Sequence, residues 1–221
     1  MKPRVAIDGP AGAGKSTVAR AVAKRLELAY LDTGAMYRAI TLAGLRRGVD
    51  LHDGKELKAL TASVDVDIQS DCEGQNIIFL NGENVSSAIR EPEVSRHVSF
   101  VALCPQVREV MVDKQREIGH RGGVVMDGRD IGTNVMPEAE FKFYLTATLT
   151  ERARRRLAEL VAKGESLVLE QMVDEIAARD KIDSERECSP LRPADDALHV
   201  DTTEMTIEQV IDFIVATVLR A

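Results

Sequence analysis

Glycines, a lysine and a hydroxyl residue near the start of the chain stand at a spacing with a chemical meaning. The run Gly9-Pro10-Ala11-Gly12-Ala13-Gly14-Lys15-Ser16-Thr17 puts four residues between Gly9 and Gly14 and follows them with Lys15 and Ser16. That is the spacing of a phosphate-binding P-loop. Glycines let the backbone fold closely around phosphate oxygens, so that consecutive amides point at the anion. A helix opening near Lys15 adds the positive end of its dipole. The Lys15 ammonium can bridge the β- and γ-phosphates, and the Ser16 hydroxyl can ligate magnesium. All nine residues are therefore expected to hold ATP, with Mg2+ accompanying the triphosphate. The loop is silent about what receives a phosphoryl group.

Three later segments could supply the other reactant's site. One is Leu31-Asp32-Thr33-Gly34-Ala35-Met36-Tyr37-Arg38, and another is Asp127-Gly128-Arg129-Asp130-Ile131-Gly132-Thr133. Asp127 ends an apolar run and is placed to hold magnesium, directly or through water. Asp130 could instead form an ion pair with Arg129 or Arg38. The third segment carries Arg179, Asp183 and Arg186 at i, i+4 and i+7, which shares one helix face if the helix runs that far. An ordinary charged ladder, worth about 0.2–0.5 kcal/mol per pair, has the same spacing. A fourth stretch, Thr150-Glu151-Arg152-Ala153-Arg154-Arg155-Arg156-Leu157, starts a helix that Thr150 can cap. On it Arg152, Arg155 and Arg156 share a side, as either a solvated basic face or a lid over phosphates.

The elements that must position these groups alternate. Val5–Ile7, Ala29–Leu31, Gly123–Met126, Phe141–Leu145 and Leu198–Val200 read as strands. Helices are expected over Lys15–Leu26, about Gly34–Arg47, 104–119, 150–163 and 168–182. A last one opens at Thr206, where Thr206 and Gln209 have capping-box spacing ahead of Val210, Ile211, Ile214 and Val218. Such alternation predicts an α/β fold with a parallel sheet covered on both faces. From Val64 to Val85 the pattern changes to short alternating runs with an Asn81-Gly82 turn signal, which predicts a small inserted antiparallel sheet.

Composition narrows the partners. With 29 Lys and Arg against 36 Asp and Glu, the formal charge of the 221 residues is -7. Bulk positive charge for nucleic acid or anionic membranes is lacking, so an anionic ligand must be met by local arginine clusters. Cys72, Cys104 and Cys188 have no metal-site spacing and read as free thiols of a reducing compartment. The four histidines, His52, His97, His120 and His199, are scattered and read as structural or surface residues. Neither a signal peptide nor a long apolar span is visible, so a cytoplasmic protein is expected.

Taken together and in order along nearly the whole chain, the P-loop, Leu31–Arg38, Asp127–Thr133 and Arg179-Asp180-Lys181-Ile182-Asp183-Ser184-Glu185-Arg186 resemble the bacterial cytidylate kinase family, nucleoside monophosphate kinases of the P-loop class. The inserted β segment belongs to the same resemblance; Thr33 stands where serine also occurs. The resemblance implies a parallel-sheet kinase core (about 1–33, 104–149 and 165–221), a monophosphate-binding subdomain (about 34–103) and a helical lid (about 150–164). It implies ATP and CMP or dCMP as partners, with Ser99, Arg108 and Asp130 at the cytosine. Arg179 and Asp183 are implied at the ribose, Arg38, Arg129 and Arg186 at phosphate, and Thr33 and Tyr37 in the same acceptor site. Lys15, Arg129, Arg152 and Arg156 are then the residues expected to stabilise the transferring group. A monomer with no nucleic-acid or membrane partner is expected. A P-loop kinase for another small acceptor is an alternative. A nucleotide-binding switch of the GTPase class would need an Asn-Lys-x-Asp string, which the sequence does not contain.

Overall fold

The computed structural model of the chain describes residues 2–71, 74–162, 164 and 167–220. Cys72, expected as a free thiol, and Lys163, expected in the lid, lie outside the described residues. So do Met1, Glu73, Glu165, Ser166 and Ala221 at or within the expected domain boundaries.

Five strands form the main sheet: β1 (Arg4–Asp8), β2 (Ala29–Asp32), β6 (Val124–Gly128), β7 (Phe141–Thr146) and β8 (Leu198–Asp201), in the order β2-β6-β1-β7-β8. Every neighbouring pair is parallel, as the alternation predicts. Parallel strands need crossovers, and helices on both faces provide them. Val5 and Ile7 of β1 pack with Val18 and Val22 of α1 (Lys15–Leu26) and with Ile211 and Ile214 of α8 (Ile207–Leu219). Ala6, between them, faces the opposite cluster with Met126 and with Val112 of α5 (Pro105–His120). Thr206 and Gln209 close the expected capping box at the start of α8. Because all five strands run the same way, the C-terminal ends of β1, β2 and β6 open on one edge, where ligands bind in sheets of this kind.

The insertion is a three-stranded antiparallel sheet of β3 (Val66–Ser70), β4 (Asn76–Leu80) and β5 (Glu83–Asn84). Asn81 and Gly82, with φ of 50° and 81°, close its second hairpin as a primed turn. Asn76 fastens it to the main sheet: its Nδ2 donates to Tyr30 O at 2.7 Å and its Oδ1 accepts from Asp32 N at 2.7 Å. Around it lie α2 (Thr33–Arg47), α3 (Gly54–Ala62) and α4 (Pro92–Val101), which share one apolar cluster built on Met36, Ile40, Leu57 and Val98. On the other side of the molecule α6 (Leu149–Val161) packs against α7 (Leu169–Glu185) through Ala153, Leu160, Met172 and Ile176. No helix among the described residues is long and apolar enough to cross a membrane.

Candidate active site

The P-loop lies where its chemistry needs it, between β1 and α1. Gly14 is the N-cap of α1, no side chain caps the helix, and its first turn carries no acidic residue. The orphan amides and the positive dipole end are thus left facing the loop. Gly9 cannot be replaced, because a Cβ there would lie 2.0 Å from the Leu145 carbonyl oxygen of β7. Lys15 is buried, and its Nζ donates to Pro10 O at 2.7 Å. Burial first, and then the neighbouring Arg129 charge, lower its pKa to about 7. An ammonium held this way gains from any anion placed in the loop.

A hydroxyl and a carboxylate pair close to the lysine. Ser16 Oγ donates to Asp127 Oδ2 at 2.8 Å, and the Tyr30 hydroxyl donates to Asp127 Oδ1 at 2.9 Å. Burial, with the Asp32 charge nearby, pushes the Asp127 carboxyl up to about 7. A buried carboxylate and a hydroxyl beside a triphosphate loop suit a hard cation that takes its other ligands from phosphate and water. No cluster of three or more His, Cys, Asp or Glu side chains suited to a metal occurs among the described residues, so such an ion would lean on its nucleotide.

All ten expected acceptor residues line one cavity beside this loop: Thr33, Tyr37, Arg38, Ser99, Arg108, Arg129, Asp130, Arg179, Asp183 and Arg186. The cavity has two poles. At one, Asp130 Oδ2 accepts from Arg108 at 2.5 Å and from Asn134 Nδ2 at 3.0 Å, while Oδ1 accepts from Arg186 at 3.2 Å. The Arg108 guanidinium also lies over the Tyr37 ring, 5.7 Å from its centroid. At the other pole Arg129 Nε donates to Asp183 Oδ2 at 2.8 Å. Arg38 and Arg179 are half-buried nearby; desolvation, then the charge of a neighbouring arginine, lower their pKa values to about 9 and about 10. Arg179 Nε is buried with no hydrogen-bond partner. This pole holds more buried positive charge than its carboxylates answer, which favours a doubly charged anion.

Several expectations are corrected. Asp130, at the head of the turn after β6, pairs with Arg108 and Arg186, while the alternatives Arg129 and Arg38 are taken by Asp183 and by Ser95 Oγ with Ile89 O. That turn is a five-residue π-helix, Ile131–Val135. Arg186 donates to Asp130, and its charge is also felt at Asp183 of the other pole. It is also off the helix: α7 ends at Glu185, and Arg186 enters the cavity on extended backbone. Thr148, not Thr150, caps α6, accepting from Glu151 N. The lid arginines Arg152, Arg155 and Arg156 share a side of α6, but their side chains take different partners. Arg155 turns to Glu151 and Thr202, and Arg152 is buried against Ala147 O and Ala11 O. Arg156, held by Glu159, is the one whose charge is felt at both Arg38 and Arg179.

Three positions at the site escaped the sequence. Asp8 accepts from Ile131 N and Gly132 N, both at 2.8 Å, and so pins the turn that presents Asp130. Its signal was its place immediately before Gly9. Gln115, buried in the cavity wall, lies seven residues after Arg108 on the same face of α5. Asp180 was visible only as a neighbour of Arg179.

A model of the family described as cytidylate kinase matches residues 5–220. The chain belongs to the cytidylate kinase family. It is 52% identical over 217 residues to the cytidylate kinase of Anoxybacillus flavithermus, covering 98% of this chain and 96% of that one. To the cytidylate kinase of Geobacillus thermodenitrificans it is 54% identical over 206 residues, covering 93% and 92%. The solved gluconokinase of Sinorhizobium meliloti superposes with a TM-score of 0.50 at 11% identity, covering 99% of this chain and 92% of that one. That likeness is one of fold alone. The family match spans both the loop and the cavity.

Proposed function

We propose that this protein transfers the γ-phosphoryl group of ATP to CMP or dCMP, giving ADP and CDP or dCDP. The observation that carries the proposal is the two-poled cavity opening beside the P-loop. Gly9 to Thr17 hold the triphosphate, and Lys15 contacts its β- and γ-phosphates. Ser16 and Asp127 would hold Mg2+, directly or through water; when bound, the ion supplies neutralising charge to the phosphate oxygens. Arg38, Arg129 and Arg186 receive the acceptor phosphate, and Arg179 and Asp183 reach the ribose, with Asp183 also orienting Arg129. Guanidinium forks match phosphate oxygens better than ammonium does.

The base is read at the other pole. Each carboxylate oxygen has two lone pairs. Asp130 Oδ2 already accepts twice, whereas Oδ1 accepts once, from Arg186. Oδ1 can therefore accept from the exocyclic amine of cytosine, where uracil would present a repelling oxygen. Arg108, Tyr37 and Ser99 shape the rest of the pocket, and its size excludes adenine, which also has an amine.

The acceptor phosphate oxygen is ionised at neutral pH, so in-line attack needs no general base. Catalysis is positioning and charge stabilisation by Lys15, Arg129, Arg152 and Arg156. Closure of the 150–164 lid over the 34–103 subdomain and the core would keep water from the phosphoryl group. The same proposal has the protein act as a cytoplasmic monomer, in keeping with free thiols and an acidic surface. Coupled ADP-release assays across CMP, dCMP, UMP, AMP and shikimate test it. CMP and dCMP are expected to dominate; faster turnover of UMP, AMP or shikimate would overturn the acceptor assignment.

A further inference from the structure

Asp180 touches three parts of the site at once. Its Oδ1 accepts from Ala11 N of the P-loop at 3.1 Å, and its Oδ2 accepts from Arg152 at 2.5 Å. On its own helix, Arg179 precedes it and Asp183 follows within one turn, and both line the acceptor cavity. Arg152 in turn donates to Ala11 O at 3.0 Å and to Ala147 O at 3.0 Å. Ala11 thus gives its amide to Asp180 and its carbonyl to Arg152, which closes a ring of charge-assisted bonds around one residue of the loop.

The ring is held tightly. A Cβ at Gly12 would lie 2.8 Å from Arg152 O, so α6 rests directly on the loop. An exposed ion pair would contribute little here, but the Arg152 and Asp180 side chains are only 9% and 21% exposed. Removing the carboxylate would strand a buried guanidinium. The Asp180 charge also acts on Arg129 and Arg179 at the phosphate pole.

We propose that Asp180 is a positioning residue that registers the P-loop and Arg152 against the acceptor helix, so that nucleotide in the acceptor cavity tightens the triphosphate site. This rests on the assignment of ATP to the loop and CMP to the cavity. An acceptor nucleotide engaging Arg179 orders α7, and Asp180, the next residue, carries that order to Ala11. The coupling must be reciprocal: ATP tightens CMP by the same factor.

The test is a binding cycle on the full chain. Affinity for a non-hydrolysable ATP analogue is measured calorimetrically with and without saturating CMP, in the wild type and in Asp180→Asn, alongside kcat and both KM values. The isosteric amide keeps an acceptor for Ala11 N but loses the charge that holds Arg152. The wild type is expected to bind the analogue about 5-fold or more tightly when CMP is present. In Asp180→Asn that factor falls toward one and kcat drops about 10-fold, while affinity for CMP alone stays within about 2-fold. A wild type without coupling, or a variant that keeps it, overturns the proposal. So does equal weakening of both ligands with a lowered Tm, the mark of a merely structural residue. If Asp180→Asn does not fold, Arg152→Lys gives the same readout, since a lysine cannot span Ala11 O and Asp180 together. Failure of the wild type to turn over CMP would instead count against the acceptor assignment.

Discussion

The P-loop and the acceptor cavity are built to meet an anion by opposite means. The loop offers backbone amides and the positive end of the α1 dipole, with Lys15 as its one buried cation. The cavity uses side chains from α2, α4, α5, α7 and the turn after β6. Amides are fixed by the fold once Gly9 can approach Leu145 O. Guanidinium groups on long side chains must be held, and Asp130 and Asp183 hold Arg108, Arg186 and Arg129. The difference follows from what each half must tell apart. A triphosphate tail can be gripped by backbone alone, whereas choosing one nucleobase needs donors and acceptors that only side chains supply.

The comparison breaks most readily at Lys15. Lys15→Met should lower kcat by about 10³, because the loop then lacks its only charge that follows the transferring phosphate. Retention of more than a tenth of the wild-type rate in the ADP-release assay would show that backbone amides suffice. Asp130→Asn should act on the other half alone. The CMP-over-UMP preference in kcat/KM is expected to fall at least about 10-fold, with the KM for ATP unchanged. Unaltered preference would remove Asp130 from base recognition.

The smallest effect belongs to an ion pair outside both halves. Glu140 accepts from Arg4 through both carboxylate oxygens, and that bond holds its pKa down to about 2, against an ordinary 4.5. A carboxyl depressed on folding stabilises the protein above its unfolded pKa, and the stabilisation is lost as pH falls from about 4.5 toward 2. The Glu140 side chain is 48% exposed, so solvent screening keeps the contribution below about 1 kcal/mol. Arg4→Met should flatten the acid limb of a Tm-against-pH curve by that amount and leave kcat/KM for both nucleotides unchanged. Loss of activity would mean that the β1 terminus is coupled to the site.

Much of the scaffold could be read before any coordinates. β1, β2, β6, β7 and β8 fall on the expected apolar runs, and α1 and α8 bury the residues that their helical spacing selects. Two helices were legible but unread. Asp53 caps α3 by accepting from Lys55 N and Glu56 N, and Pro92 opens α4 ahead of Val94, Val98 and Val101. Both are short, and their few apolar residues pack into a cluster made by distant segments, so the local pattern is thin. The Thr148 cap was passed over because Thr150 offers the same side chain two residues later.

What the sequence determined by itself is whatever depends on neighbours along the chain: the loop's amide cradle, the alternation that builds a parallel sheet, the Asn81-Gly82 turn and the capping box of α8. Membership of the ten acceptor residues was implied by the family resemblance, and the tertiary structure decided how they are paired. Asp130 meets Arg108 and Arg186 across 22 and 56 residues, and Asp180 meets Ala11 across 169. Ion pairing depends on distance in space and on burial, and neither is encoded in spacing along the chain. The π-turn pinned by Asp8 and the end of α7 at Glu185 set those distances. The P-loop was therefore readable as chemistry from its residues alone, while the fold decided that Arg108 and Arg186 meet Asp130 and that Arg129 meets Asp183.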